Sequence, residues 1–160
     1  MLTLRDIQPE DNTAVSEVIL TVMSEFACVG EGFSSADAEL EDMHAAYRGE
    51  RSAFFVLLDA GGDIVGTGGF APLAGGDASV CELRKMYLLP RARGRGEGKR
   101  LLQACIAAAT ARGYRRMYLE TVRSMDTAAR LYRSFGFTER EEALGCTGHG
   151  GCDRFMVRDL

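Results

Sequence analysis

The stretch Val80–Gly113, VCELRKMYLLPRARGRGEGKRLLQACIAAATARG, constrains the fold most tightly: a strand-like run meets three alternate glycines and opens directly into an amphipathic helix. Leu101, Leu102, Cys105, Ile106, Ala108 and Ala109 recur at helical spacing, and Gly113 supplies the stop. Gly94, Gly96 and Gly98 free the backbone and leave no Cβ in the way, so successive N–H groups can converge on an anion at the helix N-terminus. Arg93, Arg95 and Lys99 add positive charge around them. The unit is therefore a candidate seat for a phosphorylated ligand.

Around this unit the elements do not alternate strictly. Leu2, Leu4 and Ile7 form an opening strand, and Pro9 starts a helix whose inner stripe is Val15, Val18, Ile19, Val22, Met23 and Phe26. Gly30 and Gly32 break it, and Ser34 or Ser35 caps a second helix that buries Leu40, Met43 and Tyr47 and ends at Gly49. Its acidic residues Asp37, Glu39, Glu41 and Asp42 read as a solvated face, with an acidic wall for a cationic amine as the functional alternative. Strands follow at 53–58, 63–70 and 80–89. After the loop helix come a strand at 115–122, a helix at 126–134, a strand at 137–144 and a last strand holding 155–157. The order excludes a doubly wound parallel sheet. It predicts a mixed α/β fold in one domain, residues 1–160. A mostly antiparallel sheet of about seven strands carries about four helices and one right-handed parallel crossover through the loop helix.

Composition narrows the function classes. A length of 160 residues suits a single domain, and 46% apolar with 26% charged residues is the balance of a soluble globular chain. A net charge of −4 gives no basic footprint for nucleic acid, and the longest apolar run, Ala53–Leu58, is too short to cross a membrane. The N-terminal MLTLRDIQPED has neither a basic start nor a long apolar run, and the five cysteines are odd in number, which together predict a reducing cytoplasm.

Two familiar phosphate loops do not fit the glycines. A Walker A loop needs Gly where Arg93 stands and Ser or Thr where Arg100 stands, and G-x-G-x-x-G fails because the glycines run 94, 96, 98. R-x-x-G-x-G fits, from Arg93 to Gly98. Downstream, SMDTAARLYRSFGF (Ser124–Phe137) fits N-x-x-A-x-x-L-Y-x-x-x-G-F at Ala128, Leu131, Tyr132, Gly136 and Phe137, with Met125 in place of Asn. On these two motifs the chain resembles the GNAT superfamily of acyl-CoA-dependent N-acyltransferases.

The resemblance implies acetyl-CoA as co-substrate and no metal. Arg93, Gly94, Arg95, Gly96, Glu97, Gly98 and Lys99 would form its pyrophosphate loop, and backbone groups of Met86 and Leu88 would hold the thioester arm. Tyr132 occupies the family's general-acid position. A phenol of pKa ~10 can give its proton to a sulfur whose conjugate acid has pKa ~8.5 when held within hydrogen-bond reach. A base is also needed, because an ammonium has no lone pair. Glu82, in the strand entering the loop, is the first choice, with a salt bridge to Arg84 or Lys85 as its structural alternative. Glu120 is the competitor, since peptide-acetylating relatives place their base twelve residues before the Tyr, as here. The lost Asn puts one contact to the pantetheine arm in question. Cys146, His149 and Cys152 make three potential zinc ligands without a fourth, and His149 and Cys152 are instead expected to line the acceptor side or fill a glycine-rich connection. The expected activity is acetyl transfer from acetyl-CoA to a primary amine, on a small molecule or a peptide or protein N-terminus, with a homodimer left open. The alternative is a non-catalytic acyl-CoA sensor or interaction module on the same fold.

Overall fold

The computed structural model describes the backbone of residues 1–160 and every side chain but that of Ser34. Strand β1 (Thr3–Asp6) leads to helix α1 (Asn12–Glu25) through a tight turn at Pro9–Asp11. Buried Asp11 fixes that turn: its carboxylate accepts two bonds from Arg5, at 2.6 and 3.0 Å, and one from the Gln8 N–H at 2.7 Å. The expected α1 stripe is buried from Val15 to Met23, while Phe26 is half-buried just past the helix end.

The segment expected as a second continuous helix is broken. Short 3-10 turns at Ser34–Ala36 and Ala38–Glu41 precede a five-residue helix α2 (Met43–Tyr47). Local polar bonds outcompete the helix here. Asp42 restarts the chain by accepting from the Ala45 N–H at 2.9 Å. Asp37 and Glu39 turn inward onto Lys85. These two are therefore not part of a solvated face, although Met43 and Tyr47 are buried as the spacing predicts.

Strands β2 (Ala53–Leu58), β3 (Ile64–Pro72), β4 (Val80–Leu88), β5 (Arg116–Thr121), β6 (Thr138–Arg140) and β7 (Arg154–Asp159) complete one sheet with β1, in the order β1-β2-β3-β4-β5-β7-β6. Every pairing is antiparallel except β4 with β5, which α3 (Glu97–Ala111) connects; α4 (Asp126–Ser134) follows β5. One apolar core lies between the sheet and α1 and α2, around Ile19, Met43, Phe54 and Val56. The other lies under α3 and α4, around Phe70, Leu102, Cys105, Leu119 and Tyr132. Close approach demands glycine at one β3 position: a Cβ on Gly69 would lie 2.4 Å from the Ala53 carbonyl oxygen and 2.5 Å from the Phe54 ring.

A bulge in β4 creates the space for a site. The β3–β4 register slips between Thr67 and Gly69, and Lys85 takes a left-handed φ of 54° with its carbonyl accepting from Thr67 Oγ1 at 2.7 Å. Before the bulge Cys81 and Leu83 face the core under α3; after it Met86 does so, and Tyr87 faces the opposite core. Arg84 and Lys85 consequently both reach Glu39, although they are adjacent in sequence. The β4–β5 pairing stops at Glu82–Tyr118, so beyond it β4 has no strand partner on that side.

The last expected strand, 137–144, is also shorter. Pairing ends at Arg140, and residues 141–153 form a loop pinned where the Cys146 N–H donates to the Ala74 carbonyl at 2.6 Å and the Gly151 N–H to the Gly32 carbonyl at 2.9 Å.

Candidate active site

Where β4 and β5 part, a cleft of about 420 Å³ opens between α1, the glycine loop and α4. Its floor includes Met86, Tyr87 and Leu88 of β4, and its far wall runs from Ser124 to Tyr132. Gly94 and Gly96 have φ of 74° and 82°, and Gly96 caps α3. A Cβ at either would meet nothing within 4 Å, so the backbone angle alone calls for glycine there. The first N–H groups of α3 lack helical partners by construction and carry the positive end of its dipole.

The expected cofactor residues divide in two. Met86, Leu88, Arg93, Gly94, Gly96, Gly98 and Lys99 line the cleft, whereas Arg95 and Glu97 do not. Glu97 is buried and pairs with Arg100 at 2.6 Å. Arg93 binds both carboxylate oxygens of Glu25 at 2.7 Å, donates Nε to the Leu88 carbonyl at 2.9 Å, and so ties the loop to α1 and β4. Among the lining cations, Lys99 is left for a ligand. The residues present fit a pantetheine diphosphate: an unpaired β4 edge, a helix start without Cβ atoms, and one lysine.

Tyr132 is buried on α4, packs its ring against Phe137 with centroids 5.8 Å apart, and lines this cleft. Burial pushes its phenol well above the ordinary value, so it stays protonated at neutral pH. Met125 sits at the N-cap of α4 without capping it, and its sulfur accepts from Thr121 Oγ1 at 3.5 Å.

Glu82 lines a second space, and Glu120 places a carboxylate oxygen within 4.8 Å of polar atoms of Glu82 and His149 there. A chamber of about 220 Å³ is lined by Asp37, Ala38, Glu39, Glu82, Arg84, Thr147 and His149 and shares no lining residue with the first cleft. Glu82 is 2% exposed and accepts from Arg84 Nε at 2.5 Å, as its structural alternative required. Burial nevertheless raises its carboxyl pKa despite the guanidinium. Glu120 accepts from Thr147 Oγ1 at 2.5 Å. Lys85, with a fully buried side chain, pairs with Asp37 and lies 3.0 Å from Glu39. His149 Nε2 lies 2.9 and 3.0 Å from the two Asp37 oxygens, and that carboxylate holds the imidazole pKa above its usual value. Glu82, Glu120 and His149 each place one polar atom so that all three lie within 4.8 Å of one another. Arg84 pairs with Glu82, and Lys85 pairs with Asp37 on the far side of His149, so positive charge already lies beside the group.

Sequence reasoning missed the Asp37–His149 pair. The two residues are 112 positions apart, and no spacing signal connects them. Cys152, expected on the acceptor side, has its thiol pushed up to about 12 by burial and by Glu120, so it carries essentially no thiolate at neutral pH.

Comparison with known proteins agrees with this architecture. The model of the acetyltransferase (GNAT) family matches residues 19–137. The chain is 38% identical to the uncharacterized N-acetyltransferase YjgM of Escherichia coli K12, covering 98% of this chain and 94% of that one. A GNAT-family acetyltransferase from Staphylococcus aureus Mu50 superposes with TM-score 0.83 at 21% identity, over 100% of this chain and 99% of that one. A phosphinothricin acetyltransferase from Sinorhizobium meliloti, solved with acetyl-CoA, gives TM-score 0.78 at 24% identity, over 99% and 88% of the two chains. With a relative this similar along nearly its whole length, and with the cleft built from the motifs that the family model spans, the chain belongs to the acetyltransferase (GNAT) family.

Proposed function

We propose that the protein transfers the acetyl group of acetyl-CoA to a primary amine by direct attack in a ternary complex. One observation carries this reading: the β4 bulge opens a cleft with Tyr132 and the glycine loop on one side, while the same strand presents Glu82 to a carboxylate-rich chamber. The relative solved with acetyl-CoA supports the choice of donor. Acetyl-CoA supplies an activated thioester carbonyl.

The chain's residues do the rest. The N-terminus of α3 and Lys99 hold the pyrophosphate, and the unpaired edge of β4 aligns the pantetheine arm. Four carboxylates, Asp37, Glu39, Glu82 and Glu120, outnumber the cations Arg84 and Lys85 even with a protonated His149 added, and favour a positively charged acceptor. Glu82 removes the ammonium proton, directly or through water, and its raised pKa makes it a better base than an exposed carboxylate. Tyr132 protonates the departing sulfur. Burial pushes the Cys81 and Cys152 thiols to about 12, which argues against either of these two carrying the acetyl group.

Thiol release from acetyl-CoA, measured with a panel of primary amines and peptides, tests the reading. Release that depends on the amine supports it. Tight acetyl-CoA binding with no release for any acceptor would favour a sensor on the same fold.

A further inference from the structure

We propose that His149, oriented by Asp37, is the proton relay of the acceptor chamber: it receives from Glu82 the proton taken from the amine and passes it to water. The inference rests on the acetyl-transfer reading above and adds residues to it.

Three observations carry it. First, the Asp37–His149 contact fixes the ring. An ionised Asp37 can only accept, so Nε2 carries the hydrogen, and a neutral ring then keeps its lone pair on Nδ1. Second, a polar atom of His149 lies within 4.8 Å of one on Glu82 and one on Glu120. For three points no further apart than that, some position lies within about 2.8 Å of all of them, which is hydrogen-bond distance for one water or one amine nitrogen. Third, the glycine-rich loop that presents His149 is fastened rather than loose. Gly151 bonds to Gly32, Asp153 N–H to the Thr121 carbonyl, and the Arg123 N–H to Asp153 at 2.8 Å.

The surrounding groups decide which way the proton runs. His149 faces Asp37 and, beyond it, Lys85; Glu82 with its partner Arg84; and Glu120 with Thr147, while Cys152 lies near Glu120 and Glu82. Asp37 raises the imidazole pKa with Lys85 opposing, and burial raises that of the Glu82 carboxyl; an ordinary imidazole already binds a proton more tightly than an ordinary carboxylate, which sets the direction from Glu82 to the ring. Cys152 stays protonated and takes no part.

The balance closes. An ammonium loses two protons on the way to an amide. One passes through Glu82 to His149 and then to water, while the nitrogen bonds to the acetyl carbon and the carbon–sulfur bond breaks. The second replaces the proton that Tyr132 gives to the thiolate.

The test uses the full chain, acetyl-CoA, and putrescine, glycinamide and an alanyl peptide as acceptors. His149→Ala should lower kcat on the order of tenfold to hundredfold with acetyl-CoA affinity unchanged, and added imidazole should restore much of the rate. Asp37→Asn should move the acid limb of kcat/KM to lower pH, because the ring loses the anion that raises its pKa. The 15N imidazole spectrum of the unmodified protein should show the Nε2–H tautomer for neutral His149, which needs no variant to fold. An unchanged rate and acid limb in His149→Ala, a rate loss that imidazole does not restore, or an Nδ1–H tautomer would overturn the relay while amine-dependent thiol release in the unmodified chain stood. No release by the unmodified chain with any acceptor would instead sink the acetyl-transfer reading, and the relay with it.

Discussion

Replacing Lys85 by Met, Ala and Gly separates the two stresses concentrated at the β4 bulge. Met keeps the buried stem and removes the ammonium, so Asp37 and Glu39 lose the cation they share while His149 and Arg84 remain nearby. Breaking a buried pair costs about 3–5 kcal/mol, and the lower end applies because both carboxylates keep about a fifth to a quarter of their side-chain surface in water. For a chain of this length, about 3 kcal/mol lowers Tm by roughly 6–12 °C. Ala and Gly both remove the side chain and differ in the backbone. At φ 54° an L-residue pays about 1–2 kcal/mol that Gly does not, which outweighs the extra freedom of Gly in the unfolded chain. Lys85→Gly should therefore be the more stable of the two by something like 1 kcal/mol, against the usual order. Thermal melts followed by circular dichroism measure both effects. Lys85→Ala matching or exceeding Lys85→Gly would refute the strain argument, and an unchanged Tm in Lys85→Met would refute the ion-pair argument.

Three further outcomes follow from other parts of the molecule. Gly96→Val should raise the acetyl-CoA Kd at least about tenfold in calorimetry, because a branched residue cannot hold φ 82° at the start of α3; unchanged affinity would remove the loop from the cofactor site. Tyr132→Phe keeps the packing against Phe137 and removes the proton, so kcat should fall about 10²-fold with Kd for acetyl-CoA constant. Full activity in that variant would end the general-acid assignment. The Arg5 pair holds the folded pKa of Asp11 below its unfolded value, so its stabilisation is complete above pH ~4 and is lost as pH falls further. Asp11→Asn should accordingly lower Tm at pH 7 and converge on the unmodified protein in acid; a gap independent of pH would contradict this.

The parts of the fold that were legible in the sequence are those fixed by neighbours in the chain. The α3 stripe, the positive-φ glycines before it and the helix carrying Tyr132 each depend on residues within a turn or two. The β4 bulge was not legible, since nothing local marks a lysine for a left-handed conformation, and only its buried partners explain why it stays there. For the same reason Asp37 and Glu39 read as a solvated helix face: their partners lie on a distant strand and in the loop before β7. Of the two candidate bases, Glu82 is legible from the strand it occupies and Glu120 from its spacing to Tyr132. Their closeness to His149 depends on the 141–153 loop folding back over the chamber, and glycine-rich composition says nothing about where such a loop docks.

The central claim is best tested by mass spectrometry of a single turnover, mixing the protein with acetyl-CoA in the presence and absence of an accepted primary amine. Direct transfer predicts acetylated amine, free CoA only when the amine is present, and a protein of unchanged mass throughout. An acetylated protein formed without the amine and discharged on adding it, or CoA released at the same rate in both mixtures, would contradict it.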